Sequence, residues 1–356
     1  MSVHKSTPHE AAKLHVTGQA RYTDDIPLPS NALHLAFGTS SVAFGQITDL
    51  NLGAVEAAKG VIAVYTAADI PGENDVSPIA HDEPMLTSSW VQYAGQPIFL
   101  VVADSHLNAR KAARLAQVSY TEHTPNMSIE EALAGDNPFE KAQKFRKGKP
   151  EEALKKSEHQ ISGRIEIGGQ EHFYLEGQVA AAIPQENGDM LVHSSTQHPT
   201  EVQHKVAHIL DVPFHSVRVE TRRMGGGFGG KESQANLPAG ACALAAHLTG
   251  RPCKMRFDRD DDMIITGKRH DFRIDYQAGF EKNGKLNSVI MEHFTRCGWA
   301  MDLSLPVADR AMFHSDNAYN LPHAEIVSHR LRTNMCSATA YRGFGGPQGA
   351  VAIERV

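Results

Sequence analysis

The reading of this chain turns on Arg222-Arg223-Met224-Gly225-Gly226-Gly227-Phe228-Gly229-Gly230-Lys231-Glu232. Five glycines in six positions enclose one phenylalanine, with two arginines ahead and a Lys-Glu pair behind. The preceding SVRVET, 216–221, alternates apolar and polar residues as a strand does. The following run, 233–249, is alanine-rich and apolar with Pro238 early in it, the pattern of a buried helix. The expectation is a strand, a bare-backbone loop and a helix N-terminus. Such an arrangement offers free N–H groups and a positive dipole end to an electron-rich ligand.

Two phosphate motifs nearly fit. Gly225, Gly230 and Lys231 match G-x-x-x-x-G-K-[ST], but Glu232 stands where a hydroxyl should hold Mg²⁺, and its charge would repel phosphate. Gly225, Gly227 and Gly230 also spell G-x-G-x-x-G. The alanine-rich helix, however, fills the span where a second strand with an acidic end should follow. A glycine turn packed against another backbone would account for the loop taken alone.

A second loop shifts that balance. Tyr341-Arg342-Gly343-Phe344-Gly345-Gly346-Pro347-Gln348 again sets one phenylalanine and one arginine among glycines. Two such loops suit backbone brought against a flat, anionic or oxo-bearing ligand, with phenylalanine faces free to stack. Gln197, in Thr196-Gln197-His198-Pro199, follows the strand-like MLVHS at 190–194 and precedes a helix over 201–210. An amide there can donate to a ligand, or merely cap the turn; both readings stay open.

The remainder reads as ordinary soluble α+β protein. The chain has 356 residues, is 41% hydrophobic and 21% charged, and carries a net charge of −6 without a basic block, which argues against a nucleic-acid partner. The first 18 residues hold no apolar leader-like run, and no stretch is long enough to span a bilayer, so a cytoplasmic location is expected. Four separated cysteines (Cys242, Cys253, Cys297, Cys336) supply no ligand set for zinc or an iron–sulfur cluster and read as reduced thiols. Strands are expected at 33–37, 61–65, 98–103 and 118–120, with a helix capped by Ser105. Residues 126–160 read as a solvated connector with short charged helices. DRDDD, 258–262, reads as a solvated acidic turn rather than a Ca²⁺ loop, with Lys268-Arg269-His270 as its basic partner. His172 reads as a core histidine. Asn283-Gly284 marks a hairpin between 271–276 and 286–295.

RRMGGGFGGKE, GGQEHFYLEGQ, STQHP, DRDDDMIITGKRHDF and AYRGFGGPQGA occur in that family's pattern, and together they resemble the molybdenum-binding subunit of the xanthine dehydrogenases, within the xanthine oxidase/aldehyde oxidase family. The resemblance runs from GQARYTDD near residue 18 to the end of the chain. It implies an N-terminal α/β hammerhead domain over 12–125, the connector 126–160, and the first part of a molybdopterin-binding α+β domain over 161–356. By position it implies that Gln197, Gly227, Phe228 and Arg342 surround the molybdenum cofactor, with Gln197, Phe228 and Arg342 nearest the metal. Glu232, Arg310 and Phe344 would bind substrate. The implied reaction is oxidation of hypoxanthine and xanthine to urate, with water as oxygen source. Electrons would leave through iron–sulfur clusters and FAD on a partner subunit, then to NAD, in a hetero-oligomer.

Related aldehyde oxidases lack the Glu232/Arg310 pair, so the pair favours a purine. Family members are about twice this length, and their general-base glutamate would fall beyond residue 356. A fragment, or one piece of a split subunit, is therefore expected. An aldehyde or other N-heterocycle hydroxylase, and a non-catalytic piece that binds the partner subunit, are the alternatives.

Overall fold

The computed structural model describes residues 3–356, so the first two residues of the segment read for a leader lie outside it. The glycine loops are held between two sheets. A seven-stranded sheet runs, edge to edge, through Val217–Glu220, Met190–Ser194, Val179–Pro184, Cys253–Arg256, Leu33–Thr39, Pro97–Ala103 and Val61–Tyr65. Its first four strands come from the C-terminal half and its last three from the N-terminal part. They join where Leu33 pairs in parallel with Cys253. The two sequence regions thus share one sheet, although each is contiguous in the chain. Pro97–Ala103 is buried on both faces, which is why it is apolar at every position.

The helix Asn236–Thr249 covers this sheet and is buried nearly all round, matching its lack of a polar face. Helix Pro199–Leu210 packs beside it with Val202, Val206 and Ile209 turned inward; Pro199 starts it and Asp211 ends it in the left-handed region. On the outer side, Ser105 caps helix His106–Ala113 by accepting from Asn108 N–H. A three-stranded sheet, Trp90–Val91, Gly45–Asn51 and Gln117–Glu122, completes this end.

The second large sheet orders Gln143–Lys147, His323–Arg332, Leu286–Gly298, Asp271–Phe280 and His159–Ile167. The hairpin between its third and fourth strands turns at Gly284, which takes φ +83°. The 126–160 stretch is more than a connector. Gln143–Lys147 pairs with His323–Arg332, and helix Pro150–Lys156 lies against the sheet, with Ser288 Oγ bonded to the Pro150 carbonyl. Helices Ser304–Phe313 and Gly346–Arg355 pack on the same sheet through Ala311, Met312, Ala352 and Ile353.

Residues 258–262 differ from the expected turn. Asp258 precedes a helix, Arg259–Ile265, with three aspartates in its first turn, where the helix dipole favours them. Their partner is Arg110 from the helix His106–Ala113, which pairs with Asp258, Asp260 and Asp261 at once. The guanidinium thereby takes the place a cation would need among the three carboxylates. Lys268 pairs instead with Glu171, at 2.9 Å.

Candidate functional site

The glycines of the first loop are explained first by what they touch. A Cβ on Gly227 would lie 2.4 Å from Gln197 Oε1, and one on Gly229, at φ +100°, would lie 2.6 Å from the Ala340 carbonyl oxygen. A Cβ on Gly230 would meet the His172 ring at 2.6 Å. Close approach of protein to protein therefore accounts for these three. The loop is also not itself a helix N-terminus: the helix begins at Asn236, with a turn over residues 231–235 intervening. The expected dipole end is displaced from the loop.

The loop does leave selected donors free. Gln197 Oε1 accepts from Gly229 N–H at 2.8 Å and from Lys231 N–H at 3.3 Å, while Gln197 N–H donates to the Lys231 carbonyl at 2.8 Å. Its oxygen is thus spent on the loop, and Nε2 has no partner among the described residues. Gln197 caps the turn and keeps a donor to spare, so the two readings of this amide are compatible. Phe228 carries φ +54° and its carbonyl accepts from Arg342 N–H at 2.8 Å; its own N–H has no acceptor among the described residues. That bond joins the two loops and brings Gln197, Gly227, Phe228 and Arg342 together.

Phe228 is 48% exposed although it is a phenylalanine in a glycine loop. Phe344 in the second loop and Phe173 beside the first also take left-handed conformations, φ +49° each. Bulky residues rarely adopt this region, and such strain concentrates at ligand clamps. Phe228 and Phe344 bring this uncommon conformation to two loops that touch.

The support beneath is polar and buried. Lys231 has a fully buried side chain; its Nζ donates to the Glu176 carbonyl at 2.7 Å, to Ser195 Oγ at 2.8 Å and to Glu176 Oε2 at 3.2 Å, and it sits 4.7 Å from the centre of the Tyr174 ring. Burial pushes its pKa down, and Glu176 opposes that. Glu176 Oε2 also accepts from Gly225 N–H at 2.8 Å, so one ion pair holds both ends of the loop. His172 is buried and its Nε2 is bonded to the Ala340 carbonyl at 2.7 Å; burial lowers its pKa, which keeps it neutral. The second loop rests on Arg269, whose guanidinium stacks 3.7 Å from the Tyr341 ring centre and donates to the Arg342 carbonyl at 2.9 Å.

Glu232 is half-buried next to the first loop, with its carboxyl held above the usual range by burial and then by the Glu201 carboxylate, against a smaller pull from His198. Arg310 is exposed on helix Ser304–Phe313, whose Val307–Ala311 turn is the surface that Gly345 approaches; its Nε lies 3.7 Å from where a Cβ on Gly346 would sit. Phe344 is half-buried in that same loop. Neither Glu232 nor Arg310 has a hydrogen-bond or salt-bridge partner for its side chain among the described residues, and neither kind of bond joins one to the other.

A hollow of about 390 Å³, lined by Leu35, Phe99, Arg110, Arg256 and Phe257, lies apart from these residues. Sequence reasoning assigned no role to Glu176 or Ser195, and it placed Arg269 beside the aspartates at 258–262 rather than on the second loop. The burial of Lys231 against Glu176, which stands in the quoted GGQEHFYLEGQ, carries no local sequence signal.

The donor set fits an oxygen-rich anionic cofactor. It consists of an amide N–H₂, a backbone N–H and the Arg342 guanidinium, which is exposed and without an ion pair among the described residues. Comparison with known proteins agrees at the level of family. Residues 17–124 match the aldehyde oxidase and xanthine dehydrogenase a/b hammerhead domain, and residues 133–356 match the molybdopterin cofactor-binding domain. Xanthine dehydrogenase 1 of Arabidopsis thaliana is 42% identical over 360 residues, covering 99% of this chain and 26% of that protein. The xanthine dehydrogenase/oxidase of Felis catus is 39% identical over 353 residues, again 99% and 26%. The chain therefore spans about a quarter of the length of the curated relatives it matches. Among solved structures, the aldehyde oxidoreductase from Desulfovibrio gigas superposes with TM-score 0.89 at 26% identity, covering 97% of this chain and 40% of that one. The quinoline 2-oxidoreductase from Pseudomonas putida 86, at TM-score 0.86 and 24% identity, shares the fold, over 98% of this chain and 46% of its own. No helix among the described residues is long and apolar enough to cross a membrane. With the hammerhead domain ahead of it and two joined glycine loops at its centre, the chain belongs to the molybdopterin cofactor-binding domain family of the molybdenum hydroxylases.

Proposed function

We propose that this chain supplies the molybdenum-cofactor and purine-binding residues of a xanthine dehydrogenase-type hydroxylase, which oxidises hypoxanthine and xanthine to urate with oxygen from water. The observation that carries the reading is the set of unspent groups around the joined loops: Gln197 Nε2, Phe228 N–H and the Arg342 guanidinium, flanked by Glu232 and Arg310. The molybdenum cofactor, when bound, supplies the oxygen transfer and takes up two electrons. Gln197 Nε2 and Phe228 N–H would donate to the bound cofactor, and Arg342 would balance its negative charge.

The remaining residues act on the heterocycle. Phe344 offers a ring face for stacking a planar purine. Hydroxylation at an electron-poor ring carbon builds negative charge on the heterocycle, and Arg310 stabilises that charge more in the transition state than in the bound substrate. Glu232, whose carboxyl is raised above its ordinary value by burial, accepts a ring N–H or, when protonated, donates to a ring nitrogen. The four free cysteines form no iron–sulfur ligand set among the described residues, and we assign iron–sulfur clusters and FAD to a partner subunit, with NAD as final acceptor. The expected setting is a cytoplasmic hetero-oligomer. The general base is expected outside this stretch of sequence.

The structural likeness to aldehyde oxidoreductases favours a second reading, with an aldehyde as substrate. One experiment separates them. Turnover of xanthine, hypoxanthine and benzaldehyde is compared in the native enzyme and in Arg310→Met. The purine reading expects purine turnover to exceed aldehyde turnover and kcat/KM for xanthine to fall on the order of a hundredfold in the variant. Faster aldehyde oxidation, untouched by the substitution, overturns it.

A further inference from the structure

Asp302 lies between strand Leu286–Gly298 and helix Ser304–Phe313, with no exposed surface and φ +40°. That conformation is uncommon outside glycine, and buried carboxyls are rare unless bonded. Both of its oxygens are used. Oδ1 accepts from Ser233 Oγ at 2.5 Å and Oδ2 from Gln234 Nε2 at 3.0 Å. These two donors directly follow Glu232. Ser233 Oγ in turn lies 3.2 Å from Thr339 Oγ1, the residue before Ala340, whose carbonyl oxygen faces Gly229. Gln234 Oε1 accepts from Gly267 N–H at 2.7 Å, and Thr339 N–H donates to the Lys268 carbonyl at 2.9 Å. One carboxyl therefore gathers the exit of the first loop and the entry of the second.

We propose that Asp302 is a positioning residue, which ties the Glu232 end of the first glycine loop to the start of the second. It thereby fixes the spacing between Glu232 and the Arg342–Phe344 turn. The loops meet where Arg342 N–H bonds the Phe228 carbonyl and where Gly229 approaches Ala340. Without a second tie at the base they could pivot about that contact. One oxygen accepts from Gln234, whose own Oε1 is already taken by Gly267 N–H, and the other bonds the Ser233 hydroxyl. The assignment builds on the reading of the two loops as the cofactor and substrate site.

The test is amide hydrogen exchange on the protein as isolated, read at Glu232, Arg342 and Phe344, whose N–H groups bond Gly229, Phe228 and Tyr341 carbonyls. Asp302→Ala and Thr339→Val are expected to speed exchange at these three amides about tenfold, with the strand Asp271–Phe280 unchanged and Thr339→Ser like the native protein. Unchanged exchange at the three amides in both variants overturns the proposal, as does equal acceleration throughout the sheet. If Asp302→Ala does not fold, Thr339→Val decides by the same criteria. No cofactor or substrate enters the measurement. A protein that fails every purine assay can still support the tie, and an active purine hydroxylase can still refute it.

Discussion

The N–H of Arg342 donates to the carbonyl oxygen of Phe228 at 2.8 Å, joining two loops that are 114 residues apart in sequence (342 − 228). The bond commits the Phe228 carbonyl and the Arg342 N–H to each other, while the Phe228 N–H and the Arg342 guanidinium stay available.

Gln197 divides in the same way within one side chain. Gln197→Glu keeps an oxygen for Gly229 and Lys231 N–H but removes the free donor. Stability to urea should change by less than about 1 kcal/mol, while cofactor content falls severalfold by elemental and pterin analysis. Gln197→Ala loses both, and should also unfold about 1–3 kcal/mol more easily.

The Lys231–Glu176 pair should be costly to break from one side. Lys231→Met strands the Glu176 carboxylate, already 11% exposed, with fewer donors, and about 3–5 kcal/mol of unfolding free energy should be lost. The double variant Lys231→Met/Glu176→Gln should recover part of that loss. Denaturant titration of the three proteins measures both quantities.

Glycine substitutions should separate contact from bystander. Gly229→Ala forces a left-handed alanine with its Cβ 2.6 Å from the Ala340 oxygen, so destabilisation above about 2 kcal/mol is expected. Gly168→Ala, with nothing within 4 Å, should stay within about 0.5 kcal/mol.

Stability should fall as pH rises from 7 to 8. Burial lifts Asp302 to about 7, and burial together with the Asp302 carboxylate lifts Glu83 to about 8; Asp82, Asp75 and Glu201 add to the negative surroundings. Both carboxyls have folded values above their unfolded ones, so their contribution is fully present below the unfolded values and disappears as pH passes through the folded values. The buried histidines His172, His270 and His293 have lowered pKa values, and their opposite contribution is complete by pH 7. A loss of roughly 1 kcal/mol between pH 7 and 8 is expected, smaller in Asp302→Asn. Equal slopes in both proteins would remove Asp302 as the source.

Local pattern carried the strands and helices well. MLVHS forms the strand Met190–Ser194, and the apolar IFLVVA lies inside the fully buried Pro97–Ala103. The shared sheet was not legible, because the pairing of Leu33 with Cys253 depends on side chains 220 positions apart that carry no local signal. The aspartates at 258–262 misled for a related reason. A lone acidic run looks solvated until Arg110, 148 residues before Asp258, is seen among them. At the site, the glycines pointed to close approach, but only the structure separates approach to Gln197 and Ala340 from approach to a ligand. Asp302 gave no sign at all: its role rests on Ser233 and Thr339, which sequence reading had no reason to connect.

The most direct test of the central claim is molybdenum and pterin content in the protein purified at its natural length from molybdate-supplied cells, beside the Gln197→Glu variant. The account predicts near-stoichiometric molybdenum and pterin in the native protein and a severalfold drop in the variant. A native protein free of both, or a variant that holds them equally well, would contradict it.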